Sequence, residues 1–364
     1  MGYVIAALAI GCMIAIHEFG HFIVAKLSGM VVTEYSLGMG PQLWAKQIGE
    51  TKYALRLLPI GGFVSVWGED ALESQGKGNG QGYPSERNYV NIAKWKKALF
   101  IIAGPTMNLL TAVVIALVAS GITEGYIQSV YVPEVNTQAI YWGDSKLRVE
   151  NVDPEVLDAR LKSGDQIKTV NGYPILVMQD LAYFMLTKDG YVDLGIVRDG
   201  QRECVPEVSL KNLYADLSFQ ANTGIHKIAS AVRLTVSNVV MSFAGLKMLI
   251  TGDIPVTMVS GPVGAVAVMG QTVEQGAGTS YLDALILFAA VSANLGIMNL
   301  LPLPALDGGH LLFLGIEAVI RRPIPEKVKA VAQMAMFALL MLLMLAVTGM
   351  DIHGLLTGKF NLGG

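Results

Sequence analysis

The chain has 364 residues, of which 52% are hydrophobic and only 15% charged, and its mean hydropathy is +0.49. Soluble domains carry roughly a quarter charged residues, so the composition points to a membrane protein. The net charge of -3 gives no electrostatic footprint for nucleic acid, and two cysteines far apart, Cys12 and Cys204, exclude a disulfide framework.

In chain order, the first apolar run extends from about Tyr3 to Leu27 and holds His17, Glu18 and His21. It lacks the basic start and small-residue cleavage site of an export signal, so it is expected to stay as a membrane helix. Residues 51–67 (TKYALRLLPIGGFVSVW) predict a β-hairpin turning at Pro59-Ile60-Gly61-Gly62, and residues 71–90, rich in Gly, Ser and Gln, predict a loop. A second apolar run covers about Ala98 to Ser120. Residues 123–215 are expected to form a small soluble domain, with strands at Ile167–Val170, Val192–Arg198 and Arg202–Ser209 and turns at Asn171-Gly172 and Asp199-Gly200. From 224 to 251, apolar residues alternate with Lys227, Arg233 and Lys247 at helical spacing. That pattern fits an interfacial helix, with a fifth membrane crossing as the alternative.

The third long apolar run, from about Leu282 to Val319, is too long for one straight crossing of a hydrocarbon core that needs about 20 residues. Pro302 and Pro304 interrupt it, predicting an unwound stretch around Leu301 to Asp307. Irregular backbone at membrane depth is tolerated only inside protein or beside a wet cavity, which marks a site. A fourth run covers about Val331 to Val347. The basic residues Lys46, Lys52, Arg56, Arg87, Lys94, Lys96 and Lys97 precede the second run, and Arg321, Arg322, Lys327 and Lys329 precede the fourth. The positive-inside rule puts both loops in the cytoplasm, with the termini and residues 121–281 outside.

The chemistry centres on His17-Glu18-Phe19-Gly20-His21, the HExxH pattern. Residues four apart share a helix face, so both imidazoles can reach one zinc ion, while Glu18 can take a proton from the attacking water. Three ionisable side chains in a lipid-spanning helix are functional by default. Catalytic zinc usually has three protein ligands. The third is read as Asp307, in Asn299-Leu-Leu-Pro302-Leu-Pro304-Ala-Leu306-Asp307-Gly308-Gly309-His310, with His310 as a rival; His226 and His353 read as surface residues. With four crossings, both motifs lie in the cytoplasmic half of the bilayer, and a fifth crossing would part them.

These motifs resemble the site-2 protease family of intramembrane metalloproteases, in its bacterial RseP-type branch with an extracytoplasmic PDZ domain. The resemblance rests on His17–His21, on Leu306-Asp307-Gly308 with Asn299, Pro302 and Pro304, and on Ala103-Gly104-Pro105-Thr106-Met107-Asn108. It also rests on Pro59-Ile60-Gly61-Gly62-Phe63-Val64 and on Ser260-Gly261-Pro262-Val263-Gly264. It implies an α-helical polytopic membrane protein with four transmembrane helices, a membrane-dipping β-hairpin and an extracytoplasmic α+β PDZ-like domain. The expected divisions are 1–122 and 282–364 for the membrane core, 123–215 for the PDZ-like domain and 216–281 for an amphipathic segment. His17, His21 and Asp307 would be zinc ligands and Glu18 the catalytic base. Gly62, Phe63 and Val64 would pair with an unwound substrate strand.

Asn294 and Asn299 resemble residues near the substrate path, with helix–helix hydrogen bonding as the alternative. Gly104, Pro105 and Asn108 are read as packing residues. In the PDZ-like region, Asp153-Pro154, Ala159 to Lys162, Ser163 to Ile167 and Val170-Asn171-Gly172 follow the usual run, but Arg160 stands where Gly is usual. A size filter is therefore expected rather than capture of a free C-terminus. Expected substrates are transmembrane peptides such as anti-sigma factors or signal-peptide remnants, reached from a bacterial inner membrane in contact with its lipids. An ion carrier or an inactive scaffold using the same residues is the alternative class.

Overall fold

The first helix, α1 (Gly2–Leu27), contains no proline and, but for His17, Glu18, His21 and Lys26, is apolar on every side, as a buried or lipid-embedded helix must be. It ends in a Schellman motif. Gly29 takes φ +83°, its N–H donates to Lys26 O (3.1 Å), and Met30 N–H donates to Ala25 O (3.0 Å). Ala25 and Met30 are fully buried in one apolar cluster with Val32, Val66, Phe100 and Ile101, so the motif's backbone bonds and its apolar contact close together. The chain leaves directly into a strand.

This is a computed structural model, and it describes residues 1–69, 83–122, 147–149, 160–161, 165–176, 180, 184, 191–209, 217–218, 226–254, 261–276 and 281–356. Most of the loop expected at 71–90, the start of the domain expected at 123, Asp153-Pro154, Ala159, Lys162 to Gly164 and Ser260 lie outside the described residues. Two compact units are formed. One comprises residues 1–111, 260–284 and 291–364; the other comprises 112–259 and 285–290.

In the first unit, β1 (Val32–Ile48) and β2 (Thr51–Val66) form a sheet on α1. The tight turn that joins β1 to β2 is Gly49-Glu50, with Ile48 opposite Thr51, and the chain reverses again at Pro59 to Gly62, where the sequence suggested a turn. The two arms expected within 51–67 both exist but do not pair with each other. Residues 34–37 lie between them: Glu34 aligns with Ser65 and also with Lys52, and Leu37 aligns with Gly62 and also with Leu55. The intervening strand escaped the sequence reading because Gly38, Gly40 and Pro41 break its alternation. Arg56 ties the layers, donating to Ser36 Oγ (2.7 Å) and Glu34 (2.6 Å), with its guanidinium 5.0 Å from the Phe63 ring centre.

The helix α2 (Lys94–Ile122) carries Pro105 in its interior. In the second unit, β3 (Leu147–Val149), β4 (Gln166–Val170), β5 (Tyr173–Pro174), β6 (Tyr191–Arg198), β7 (Gln201–Ser209) and β8 (Leu217–Ser218) form a six-stranded sheet. Its order is β7-β6-β4-β3-β8, with β5 on β4. The predicted turns appear as expected: Asn171 and Gly172, then Asp199 and Gly200, all take positive φ, the signature of two-residue hairpin turns. The helix α3 (His226–Thr251) packs Met241, Ala244 and Met248 into the core formed by Ile167, Phe184, Leu194 and Ile196. Ser237 donates to the buried Asp180 carboxylate, and Lys247 Nζ lies 5.4 Å from the Tyr173 ring centre.

Back in the first unit, α4 (Pro262–Gly276) packs along α1. Its N-terminus is capped from a distance: Asp351 accepts from the backbone N–H of Gly261 (3.1 Å) and Gly264 (2.8 Å). The long third apolar run is two helices, α5 (Leu282–Asn299) and α6 (Asp307–Ile320), with the break at 300–306 that the prolines predicted. The last helix, α7 (Glu326–Leu356), carries Asp351. Among the described residues, five helices are long and apolar enough to cross a membrane by length and composition: α1, α2, α3, α5 and α7.

Candidate active site and metal centre

Helical spacing places His17 and His21 one turn apart on the buried face of α1, where each is under a tenth exposed. The other half of the site comes from 290 residues further along. Asp307 is the first residue of α6, so its carboxylate sits at the positive end of a helix and beside the broken backbone of 300–306. Gly308 lets that first turn lie on the loop, since a Cβ there would strike the carbonyl oxygens of Leu300 and Leu301.

Three ligand atoms converge. His17 Nε2 is 3.1 Å from Asp307 Oδ2, His21 Nε2 is 3.4 Å from the same oxygen, and the two Nε2 atoms are 3.2 Å apart. Ligands held tetrahedrally at about 2.0–2.1 Å from one zinc ion stand roughly 3.3 Å apart. The separations therefore fit a shared zinc ion. His21 is also held in the tautomer that a metal requires: Nδ1–H donates to Phe100 O at 2.8 Å, which leaves Nε2 with its lone pair facing the cluster.

The helix α2 supplies the floor. Gly104 lies under both rings, and a Cβ there would stand 2.7 Å from His17 Nε2 and closer still to His21 Nε2. Phe100, Gly104 and Asn108 recur at four-residue spacing, one stripe of α2 facing the imidazoles. His310, the rival ligand, is not in the cluster; its Nε2 lies 3.1 Å from Gln333 Nε2 on α7.

Glu18 is half-buried beside the two histidines and touches the sheet. Gly62 is the contact. A Cβ there would meet Glu18 Cγ at 2.8 Å and Ser36 O at 2.9 Å, so only glycine lets β2 run past the carboxylate. Val64 and Val66 follow Gly62 on the same face toward α1, and Phe63 lies on the other. Tyr35 Oη donates to Ala15 O (3.3 Å), one turn before Glu18. Burial, with the Glu18 carboxylate nearby, pushes its phenol up to about 12.

Asn294 and Asn299 are both half-buried on α5. The hydrogen bonds of His17, His21 and Asp307 go to one another, to Phe100 and to Asn108. Sequence reasoning missed the Phe100 carbonyl, which no side-chain pattern can reveal. It also assigned Asn108 to packing, although a polar amide within an apolar helix is itself a signal.

A model of peptidase family M50 matches residues 5–343. The chain is 33% identical to a Clostridium perfringens chain that carries a zinc metalloprotease name, over 97% of this chain and 98% of that one. It is 31% identical to a similarly named Clostridium acetobutylicum chain, over 96% of each. It is 28% identical to the regulator of sigma-W protease RasP of Bacillus subtilis, over 95% of this chain and 96% of that one.

Proposed function

Because the chain belongs to peptidase family M50, and is thus a multi-pass membrane zinc metalloprotease, we propose that it hydrolyses peptide bonds within the transmembrane segments of other membrane proteins. The observation that carries this is the convergence of His17, His21 and Asp307 from two distant segments at zinc-ligand spacing. In this reading those three side chains hold the metal. Zinc, when bound, lowers the pKa of a water and polarises the scissile carbonyl.

Glu18 takes the proton from the attacking water and passes it to the leaving amine. Its carboxylate rests against Gly62, so a substrate strand lying beside residues 62–66 would bring its backbone to the same place. A transmembrane helix hides its carbonyls in its own hydrogen bonds and must be opened before attack. Strand addition to a free sheet edge does that, and among the described residues no third strand joins the β1–β2 sheet. Gly62, Phe63 and Val64 are thereby substrate-binding residues, with Asn294 and Asn299 further along the path on α5.

The membrane core is built from residues 1–122 and 282–364, with four crossings. The helix α3 is long enough for a fifth, but one face of it is buried on a β-sheet core through Met241, Ala244 and Met248. A helix so committed is better placed on the outer membrane surface, its Ile228, Val232, Val236 and Phe243 side chains meeting lipid. Residues 123–215 then form an extracytoplasmic PDZ-like domain that filters substrates by size. Substrates are single-span proteins or peptide remnants in a bacterial inner membrane; the sigma-regulator name of the Bacillus subtilis relative favours an anti-sigma factor.

The deciding experiment is Glu18→Gln. Cleavage of a reconstituted transmembrane peptide should fall by about 10²–10⁴-fold, the usual share of a general base, while zinc content stays at the wild-type level. Turnover persisting in that variant removes Glu18 from the mechanism.

A further inference from the structure

A metal-binding imidazole needs its outward nitrogen held, because the partner there fixes both the tautomer and the ring's orientation. For His21 the Phe100 carbonyl does this. For His17 the neighbour is Asn108, whose Nδ2 lies 3.3 Å from His17 Nδ1. Asn108 is 1% exposed, and its Oδ1 is buried without a hydrogen-bond partner among the described residues.

Two protonation patterns fit this pair. With the hydrogen on Nε2, His17 donates to Asp307 Oδ2, and its bare Nδ1 accepts from Asn108 Nδ2. With Nε2 turned to a metal, the hydrogen moves to Nδ1, and two donors would face each other. A half turn of the amide removes that conflict, because its oxygen and nitrogen have nearly the same shape. The oxygen now without a partner then accepts from Nδ1–H. The backbone under the amide is held firmly. Ser292 Oγ donates to Asn108 O at 2.8 Å, and Gly296 of α5 packs so closely on α2 that a Cβ there would stand 2.8 Å from Pro105 O.

We propose that Asn108 is a positioning residue for the metal centre, its Oδ1 accepting the His17 Nδ1–H whenever His17 Nε2 ligates zinc, and its Nδ2 serving the same nitrogen when the metal is absent. The proposal rests on the reading of His17 as a zinc ligand. Asparagine serves both states of the ring. Aspartate serves only the metal-bound one, and leucine serves neither.

The test is zinc affinity, measured on the full chain in detergent by competition with a chromophoric chelator. Asn108→Leu should bind zinc about 10–100-fold more weakly, the usual cost of losing such a partner, and Asn108→Asp should recover most of that loss. Wild-type affinity in Asn108→Leu overturns the proposal, as does an Asn108→Asp variant as weak as the leucine. If the leucine variant does not fold, nitrogen NMR of histidine-labelled wild-type chain with zinc decides: His17 should show a hydrogen-bonded Nδ1–H, and an unbonded one overturns the proposal. His17→Ala is the control. If it binds zinc as the wild type does, the metal-centre reading itself fails. If it loses zinc while Asn108→Leu does not, only the role of Asn108 fails.

Discussion

The two β-sheets of this chain obey opposite surface rules. In the six-stranded sheet, alternate residues Val192, Leu194 and Ile196 of β6 are buried and their neighbours are turned out, the usual pattern against a water-covered surface. In the β1–β2 sheet, Met39, Leu43, Trp44, Ile48, Leu55 and Leu57 are all exposed. A soluble protein rarely leaves so many large apolar side chains of one small sheet exposed unless something covers them. The helix α7, long and apolar enough to cross a membrane, is just as open, with only 6% of its most apolar stretch buried; we read lipid as the cover of both. An exposed leucine thus reports which solvent a region meets.

The sharpest way to break this comparison is at Gly62, where the β1–β2 sheet lies against Glu18. Gly62→Val puts a branched side chain against Glu18 and should lower kcat/KM by at least about 10²-fold, or roughly 3 kcal/mol, with zinc content unchanged. Full activity would detach the sheet from catalysis. In the other sheet the corresponding weak point is structural. Asp165 is 1% exposed and accepts two bonds from Arg198, at 2.6 and 2.8 Å, and this carboxylate partner holds the guanidinium above its ordinary range. Asp165→Asn should cost that unit about 2–4 kcal/mol, somewhat below a fully buried pair. Hydrogen exchange of β4 and β6 would register the loss, while cleavage of a short transmembrane peptide stays near wild type.

A smaller effect tests the solvent rule itself. Leu43→Asp should destabilise the membrane-embedded chain by about 1–3 kcal/mol, because a charge is being pushed toward lipid. Tyr191→Asp, on the outer face of β6, should stay within about 0.5 kcal/mol. Equal costs in a denaturation series would mean that both surfaces see water.

The smallest effect is acid sensitivity at the hairpin turn. Burial would raise the Glu50 pKa, but hydrogen bonds from Arg87 (2.9 Å) and Lys26 (2.7 Å) outweigh it and hold the group below its ordinary value. The stabilisation is therefore present above the unfolded-chain pKa of about 4.3 and disappears as pH falls through the lower folded value. Melting curves of wild type and Glu50→Gln should differ by under about 1 kcal/mol at pH 7 and converge in strong acid.

Much of this was legible in the residues. Long apolar runs set the helices, and Pro302 with Pro304 marked the break that positions Asp307. The dipeptides Asn171-Gly172 and Asp199-Gly200 marked hairpin turns, because few residues accept positive φ. The β1–β2 register was not legible. Gly38, Gly40 and Pro41 disguise β1, and a strand lying between two arms of its neighbour leaves no periodic trace.

By itself the sequence determined which chemistry was possible: a four-residue spacing puts two imidazoles on one helix face, and charges in an apolar helix must earn their place. Only the tertiary structure decided how that chemistry is assembled. It chose Asp307 over His310, set Gly62 against Glu18, and turned Phe100 O and Asn108 toward the outer nitrogens of the histidines. The physical reason is that spacing along a helix is local geometry, whereas a contact across 290 residues depends on how glycines let separate backbones approach.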